Sequence, residues 1–274
     1  MRYLLVDNGS LKAESVLNLR EVAAALSQLT GHEIIPASLL HSSKIDPAQL
    51  GGEGAINLEK RLRLLLETGE REFTLIPFFF GPTAAITDYL PLRLAWLRER
   101  HGDFSIRRTP FLYDEKEGNE RLLGILADNV RRVIESHRLC RPRVTLLDHG
   151  SPLPEVTAVR DALAQQLQAL LAEGISDLSP SSMERRPGEA YAFNEPLLES
   201  LLRQESWNKV DVVVAMLFLS PGRHAGPGGD VDTICRSAEQ ASPGLRTYMT
   251  GLAGTHPGIL QLLADRLQGV KVAM

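Results

Sequence analysis

The sequence predicts an α/β protein built from two tandem, duplicated, doubly wound domains, each a mainly parallel four-stranded sheet flanked by helices. Three observations carry that prediction. Leu4-Leu5-Val6-Asp7-Asn8-Gly9-Ser10 near the start returns as Leu146-Leu147-Asp148-His149-Gly150-Ser151 in the middle of the chain. Two nearly unbroken apolar runs, Phe73 to Phe80 and Val210 to Leu219, have the pattern of strands covered by helices on both faces. Strand-like and helix-like segments alternate throughout, which makes a doubly wound sheet the economical architecture for each half.

Taken in order, each half opens with a strand, Tyr3 to Val6 or Val144 to Leu147, closed by Gly-Ser. A helix follows; in the second half Val156, Val159, Leu163, Leu167 and Leu170 mark its apolar face, with Pro154 and Glu155 where a helix starts. Second strands are expected at Glu33 to Leu40 and Ile175 to Leu178, and amphipathic helices at Leu58 to Leu66 and Leu197 to Leu202. After the strong third strands come helices Leu90 to Arg100 and Asp232 to Glu239, then strands Ile106 to Leu112 and Leu245 to Thr250. Helices Glu120 to Ser136 and Gly258 to Leu267 close the halves. Gly51 to Gly54 and Ser179 to Gly188 read as surface loops. The match continues late into each half, with Arg108-Thr109 returning as Arg246-Thr247 and Leu123 to Asp128 as Leu260 to Asp265. The expected domains are 1–137 and 143–274, joined by His137 to Pro142, where the periodic pattern breaks.

Composition narrows the function classes. A 274-residue chain with 43% hydrophobic and 23% charged residues can hold two ordinary cores, and a formal charge of −4 without basic runs gives no case for nucleic acid. Cys140 and Cys235 lack the spacing of a disulfide framework or a zinc ribbon. No apolar stretch approaches the ~20 residues a membrane span needs, and Met1 leads directly into a strand, so the expectation is a cytoplasmic protein without a membrane partner, monomeric or homodimeric.

Ligands of parallel sheets bind beyond the carboxyl ends of the strands, which in the second half gathers the loops bearing His149, Glu184, His224 and His256. Asn8 stands where His149 does and, by the nearest ungapped placement, Ala84 stands where His224 does. Two side chains able to bind a metal or accept a proton are thus kept in one copy only. Glu184, after the second strand, is the best third ligand of an open site, and the first half offers His41 at about the same place. His256 reads as structural rather than as a ligand, and Asp7 and Asp148, present in both halves, as turn residues. Arg185, Arg186 and Arg223 suit a ligand bearing carboxylates, with Ser151 and Gly222 beside the histidines. The loop Ser220 to Asp230 lacks both the dinucleotide fingerprint and the Walker lysine, which argues against a nucleotide. Imidazoles more than about 8 Å apart would exclude a shared metal with nitrogen ligands at ~2.0–2.1 Å.

Asp148-His149-Gly150-Ser151 after a first strand and Phe218-Leu219-Ser220-Pro221-Gly222-Arg223-His224 after a third, about 75 residues apart, resemble the class II chelatases of tetrapyrrole biosynthesis, the sirohydrochlorin cobaltochelatases and ferrochelatases. That family is built from one or two copies of a small α/β domain, so the resemblance extends over both halves. It implies insertion of a divalent metal, Co2+ or Fe2+, into a sirohydrochlorin-type tetrapyrrole on the way to cobalamin or siroheme. His149 and His224 match the family histidines that bind the incoming metal and assist pyrrole deprotonation, and Glu184 matches by position an acidic ligand of some members. Metal and macrocycle would both be substrates. The first half, with Asn8 and Ala84, would be an inactive wall of the cleft. Ala225-Gly226-Pro227-Gly228-Gly229-Asp230 departs from the family by a His-to-Asp spacing two residues longer. Two alternatives stand beside this reading. One is a non-catalytic tetrapyrrole- or metal-binding protein derived from a chelatase. The other is a hydrolase or phosphotransferase using His149 as base, which would need a nucleophile or a phosphate cradle near the histidines; Ser151 is the only adjacent hydroxyl, with no evident Asp partner beyond Asp148.

Overall fold

A computed structural model describes residues 1–116, 118–226, 228–269 and 271–274. The first part of the chain runs β1 (Arg2–Asp7), α1 (Ala13–Thr30), β2 (Ile34–Ser38), α2 (Leu58–Glu67), β3 (Glu72–Pro77), α3 (Leu90–His101) and β4 (Ser105–Arg108). It continues with α4 (Glu120–His137), β5 (Arg143–Asp148), α5 (Pro154–Leu171), β6 (Asp177–Ser182), α6 (Leu198–Arg203), β7 (Asp211–Met216), α7 (Asp230–Ala241), β8 (Arg246–Met249), α8 (Gly258–Gln268) and β9 (Val272–Ala273). One sheet has the order β2-β1-β3-β4-β9 and the other β6-β5-β7-β8. All pairings are parallel except the short antiparallel β4–β9 pair, a fifth strand that the sequence pattern does not announce.

Local chemistry explains several boundaries. Helix α1 ends at Gly31, whose φ of 70° is the left-handed C-cap conformation. Asn57 caps α2 by accepting the Lys60 amide, and Pro154 occupies the first turn of α5, where its missing N–H is not needed. The apolar runs of β3 and β7 are buried along most of their length, as strands covered on both faces require.

The second strand of the later half differs from the expected Ile175 to Leu178 and runs over Asp177–Ser182, so part of the expected Ser179 to Gly188 loop is sheet. Its sequence is polar and holds Pro180, which an edge strand tolerates. The buried Ser181 and Thr145 hydroxyls satisfy each other at 2.7 Å.

The compact units also differ from the sequence halves 1–137 and 143–274. One comprises Met1–Asn119 with Leu260–Met274, the other Glu120–Ile259. In the second unit α4 packs against α5 and β7. In the first, β9 pairs with β4, and the buried Arg266 donates to the carbonyl oxygens of Leu112 and Gly118 at 2.9 and 2.6 Å. The segment His137 to Pro142, expected as a linker, therefore lies inside the second unit, between α4 and β5. Amphipathic periodicity shows that a helix has a buried face but not which sheet receives it.

Strand register refines the internal match. Leu40 donates its amide to Asn8 O as Glu184 does to His149 O, so Leu40 rather than His41 is the counterpart of Glu184. Phe78 donates to Val6 O as Leu217 does to Leu147 O; counting onward places Ala85, not Ala84, opposite His224. Thr109 donates to Leu75 O as Thr250 does to Val214 O, which replaces the expected match of Arg108-Thr109 with Arg246-Thr247.

Candidate metal and proton-transfer site

The strand order of the second unit makes β5 and β7 neighbours from which the chain winds outward in opposite directions. The loops after these two strands flank the crevice where open parallel sheets bind ligands. His149 follows β5 directly and His224 lies eight residues after β7. Their ring centroids are 4.6 Å apart, well inside the limit for sharing a metal.

The two loops hold their histidines by different means. At Gly150 the backbone has a φ of 90°, and a Cβ there would lie 1.9 Å from the Glu184 carbonyl oxygen, so only glycine lets the β5 and β6 loops approach so closely. The Glu184 amide meanwhile donates to His149 O at 3.1 Å. The loop after β7 folds back on itself. Gly229, where a Cβ would meet the carbonyl oxygens of Arg223 and His224 at 2.9 Å, closes it, and the Val231 amide donates to His224 O. That return brings Asp230, the first residue of α7, against His224. Pro227 of this loop lies outside the described residues.

Hydrogen-bond partners assign the ring nitrogens. His149 Nδ1 is 3.1 Å from the carbonyl oxygen of Gly150, which can only accept, so Nδ1 carries the proton. His224 Nδ1 lies 2.6 Å from Asp230 Oδ2 and donates likewise to the carboxylate. In the neutral ring each Nε2 then keeps its lone pair, the form that coordinates a metal or accepts a proton. Glu184 Oε1 stands 3.6 Å from His149 Nε2. Two ligands at ~2.1 Å from one tetrahedral metal are separated by about 3.4 Å, close to that spacing.

The three expected ligands are nevertheless joined only in part. Among the described residues no group of three His, Cys, Asp or Glu side chains is arranged to hold a metal ion. Glu184 is 63% exposed and reaches His149, while His224 is engaged by Asp230. His256 is set apart: its Nδ1 accepts the Gly258 amide and its Nε2 donates to Asp128 at 2.7 Å, so both nitrogens are committed. The same hydrogen bond, helped by Arg132, holds the Asp128 carboxyl below its usual value.

The flanking residues divide as well. Arg223 is largely exposed, with Nε 3.5 Å from Asp230 Oδ2. Arg185 is engaged with the chain itself, donating to Glu195 at 2.6 Å and to Gly188 O at 2.9 Å, and Arg186 lies over the Tyr191 ring. The Ser151 hydroxyl accepts the Leu153 amide at 3.0 Å, just before α5. A Cβ at Gly222 would meet nothing within 4 Å, so this glycine leaves open space. Behind His149, Asp148 is buried and its Oδ1 accepts from the Gly150 amide and the Ser182 hydroxyl. Burial pushes its carboxyl upward against the pull of that hydroxyl and of the Arg160 charge.

Sequence reasoning missed Asp230, Arg160 and Asn194. Asp230 carried one usable signal, an acid at the first position of a helix after Gly-Gly. Arg160 in the buried face of an amphipathic helix reads as an interruption, and nothing in the sequence marks Asn194.

The family model of CbiX matches residues 143–270. No curated protein sequence matches the chain. Among solved structures, the sirohydrochlorin chelatase SirB from Bacillus subtilis subspecies spizizenii in complex with cobalt is similar at a TM-score of 0.67 and 14% identity, over 98% of this chain and 94% of that one. SirB from Bacillus subtilis with Fe3+ gives a TM-score of 0.65 at 14% identity, over 98% and 95%. DR2241 from Deinococcus radiodurans, a multi-domain protein with structural similarity to chelatases, gives 0.64 at 17% identity, over 100% of this chain and 57% of that one. At such identities these likenesses establish a shared fold.

Proposed function

We propose, from the match of residues 143–270 to the CbiX family model, that the chain is a metal chelatase that inserts a divalent ion, Co2+ or Fe2+, into a sirohydrochlorin-type tetrapyrrole. The observation that carries this reading is the pair of imidazoles 4.6 Å apart, each with Nδ1 tied to an acceptor and Nε2 left basic.

In the proposed reaction, Nε2 of His149 and of His224 hold the incoming metal, and the exposed carboxylate of Glu184 completes its shell. Macrocycle insertion exchanges two pyrrole N–H protons for one M2+. The imidazoles are the bases for those protons as the metal leaves them. Asp230 stabilises the imidazolium that forms on His224 and keeps its ring oriented. Arg223, exposed beside the histidines, pairs with peripheral carboxylates; Arg185 and Arg186 act one step back, shaping the loop that carries Glu184. No nucleotide takes part and no redox change occurs at the protein. SirB binding cobalt and Fe3+ supports a metal of this class, and the placement in cobalamin or siroheme biosynthesis follows from the same reading. No helix is long and apolar enough to cross a membrane among the described residues.

The test is a chelatase assay with sirohydrochlorin and Co2+, Fe2+ or Ni2+. A shift of the macrocycle absorbance to that of the metallated product, with Co2+ or Fe2+ preferred, is the expected result. Binding of either substrate without that shift would leave a non-catalytic binding protein instead.

A further inference from the structure

Arg160, in the middle of α5, is only 1% exposed and is among the largest fully buried side chains of the protein. Its Nε donates to Asp161 at 2.9 Å, while Nη1 donates to the Ser182 hydroxyl and to the backbone oxygen of Asn194, the latter at 3.1 Å. Ser182 passes the connection on, its hydroxyl donating to Asp148 Oδ1 at 2.6 Å. Asn194, fully buried, completes a circuit. Its Oδ1 accepts the Ser151 amide at 2.9 Å and its Nδ2 donates to Ser151 O at 2.9 Å. The closed path Arg160, Ser182, Asp148, the His149 loop, Ser151, Asn194, Arg160 thus encircles the loop that carries His149. Ser182 is also two residues before Glu184, so the same guanidinium holds the roots of both site loops.

The fold itself does not demand this network, and the duplicated half is the control. Helices α1 and α5 have 18 residues each, and the seventh residue of α1 is Leu19, buried at 2% exposure. A leucine fills that position under an equivalent sheet. The matching loop is held there by less, the Ser10 amide donating to the Ser42 hydroxyl at 3.1 Å. Burying a cation carries a desolvation penalty that a partner repays only in good geometry, so a position that accepts leucine in one copy and keeps a buried arginine in the other calls for a reason outside packing.

Resting on the chelatase reading above, we infer that Arg160 and Asn194 are positioning residues that fix the separation of His149 and Glu184 for the incoming metal. They touch neither metal nor macrocycle; they act through Asp148, Ser182 and Ser151. Groups in this supporting role around metal sites are typically worth about 10- to 100-fold in metal affinity.

The experiment uses the full chain and Co2+ alone as probe, read by titration and by the d–d absorption of the bound ion, which reports its ligand geometry. Arg160→Lys keeps the charge but loses the fork. The pair Asp148→Asn with Arg160→Met removes both buried charges, so it avoids leaving either one unpaired. Near-UV circular dichroism confirms that each variant is folded. Both should bind Co2+ about 10-fold or more weakly with an altered d–d spectrum, and should raise the KM for metal more than they lower kcat. Folded variants with wild-type affinity and spectrum would overturn the positioning role. His149→Ala separates the two levels. If it abolishes Co2+ binding while the Arg160 variants bind normally, the positioning role alone is wrong; if it too binds normally, the metal site falls and the positioning role with it.

Discussion

Asp7 and Asp148 end equivalent strands, and both are buried, yet their surroundings differ. Asp148 shares its environment with the Ser182 hydroxyl and the Arg160 guanidinium. In the first copy Leu19 stands at the position of Arg160; Asp7 Oδ1 has no hydrogen-bond partner, and burial pushes its carboxyl up to about 6 despite Ser38 and the Gly9 amide. The same contrast runs outward to the surface. Where the second unit has His149, Glu184, His224 and Asp230, the first has Asn8, Leu40 and Ala85, and Leu90 opens α3 where Asp230 opens α7. The glycines that make the loops possible, Gly9 and Gly150, have the same φ of 90° and the same close approach to a neighbouring carbonyl. Scaffold geometry has been kept in both copies, while the imidazole pair, its neighbouring carboxylates and the buried Arg160 occur in one.

The largest effect expected from this contrast is on turnover. His149→Ala or His224→Ala should lower metallation by about 100-fold or more, while Asn8→Ala should leave initial rates unchanged; equal losses in both halves would erase the distinction. Asn8→His with Ala85→His should create no second site, because Leu40 supplies no acid.

Gly9→Ala and Gly150→Ala compare the loops themselves. Each adds a Cβ within 2 Å of a carbonyl oxygen, and each should cost about 2 kcal/mol or more of stability in urea unfolding. Only Gly150→Ala should also weaken Co2+ binding, since the displaced carbonyl belongs to Glu184.

The buried Asp7 gives a pH signature. Its folded value, raised from 3.8 to about 6, means that the folded state holds the proton more tightly than the unfolded chain. Stability is therefore greatest below about pH 4 as far as this group is concerned, declines as pH rises toward about 6, and is level above that. The decline should be on the order of 1–3 kcal/mol, and Asp7→Asn should flatten it in denaturant titrations between those values. A slope that survives the substitution belongs to another group.

A smaller effect is expected from Asp230→Asn, which removes the charge that steadies the His224 imidazolium but can retain an acceptor. Co2+ affinity should fall by about tenfold; an unchanged affinity would assign Asp230 to the loop closure alone.

Much of this was legible in the sequence because its determinants are local. The apolar runs of β3 and β7, the Gly-Ser turns after β1 and β5 and the helical spacing of α5 all identify their elements from neighbouring residues. The unit boundary was not legible, because α4 and the segment from Leu260 onward are amphipathic pieces whose destination is a tertiary choice. Strand β6 was misplaced because its burial is achieved by hydroxyls rather than by apolar side chains. Within the site, His149 and His224 were visible as a difference between two copies. Asp230 depended on a loop that folds back through Gly229, and Arg160 and Asn194 on contacts between segments more than 20 residues apart. The counterpart of Glu184 is Leu40 instead of His41, a one-residue displacement that only strand register reveals.

The central claim, that metal chemistry resides in the second copy alone, is tested most directly by counting bound metal. Titration of the full chain with Co2+ should show one equivalent per chain with a d–d absorption band, and none in the His149→Ala, His224→Ala double variant. Two equivalents in the wild-type chain, or one that persists when both histidines are gone, would contradict the account.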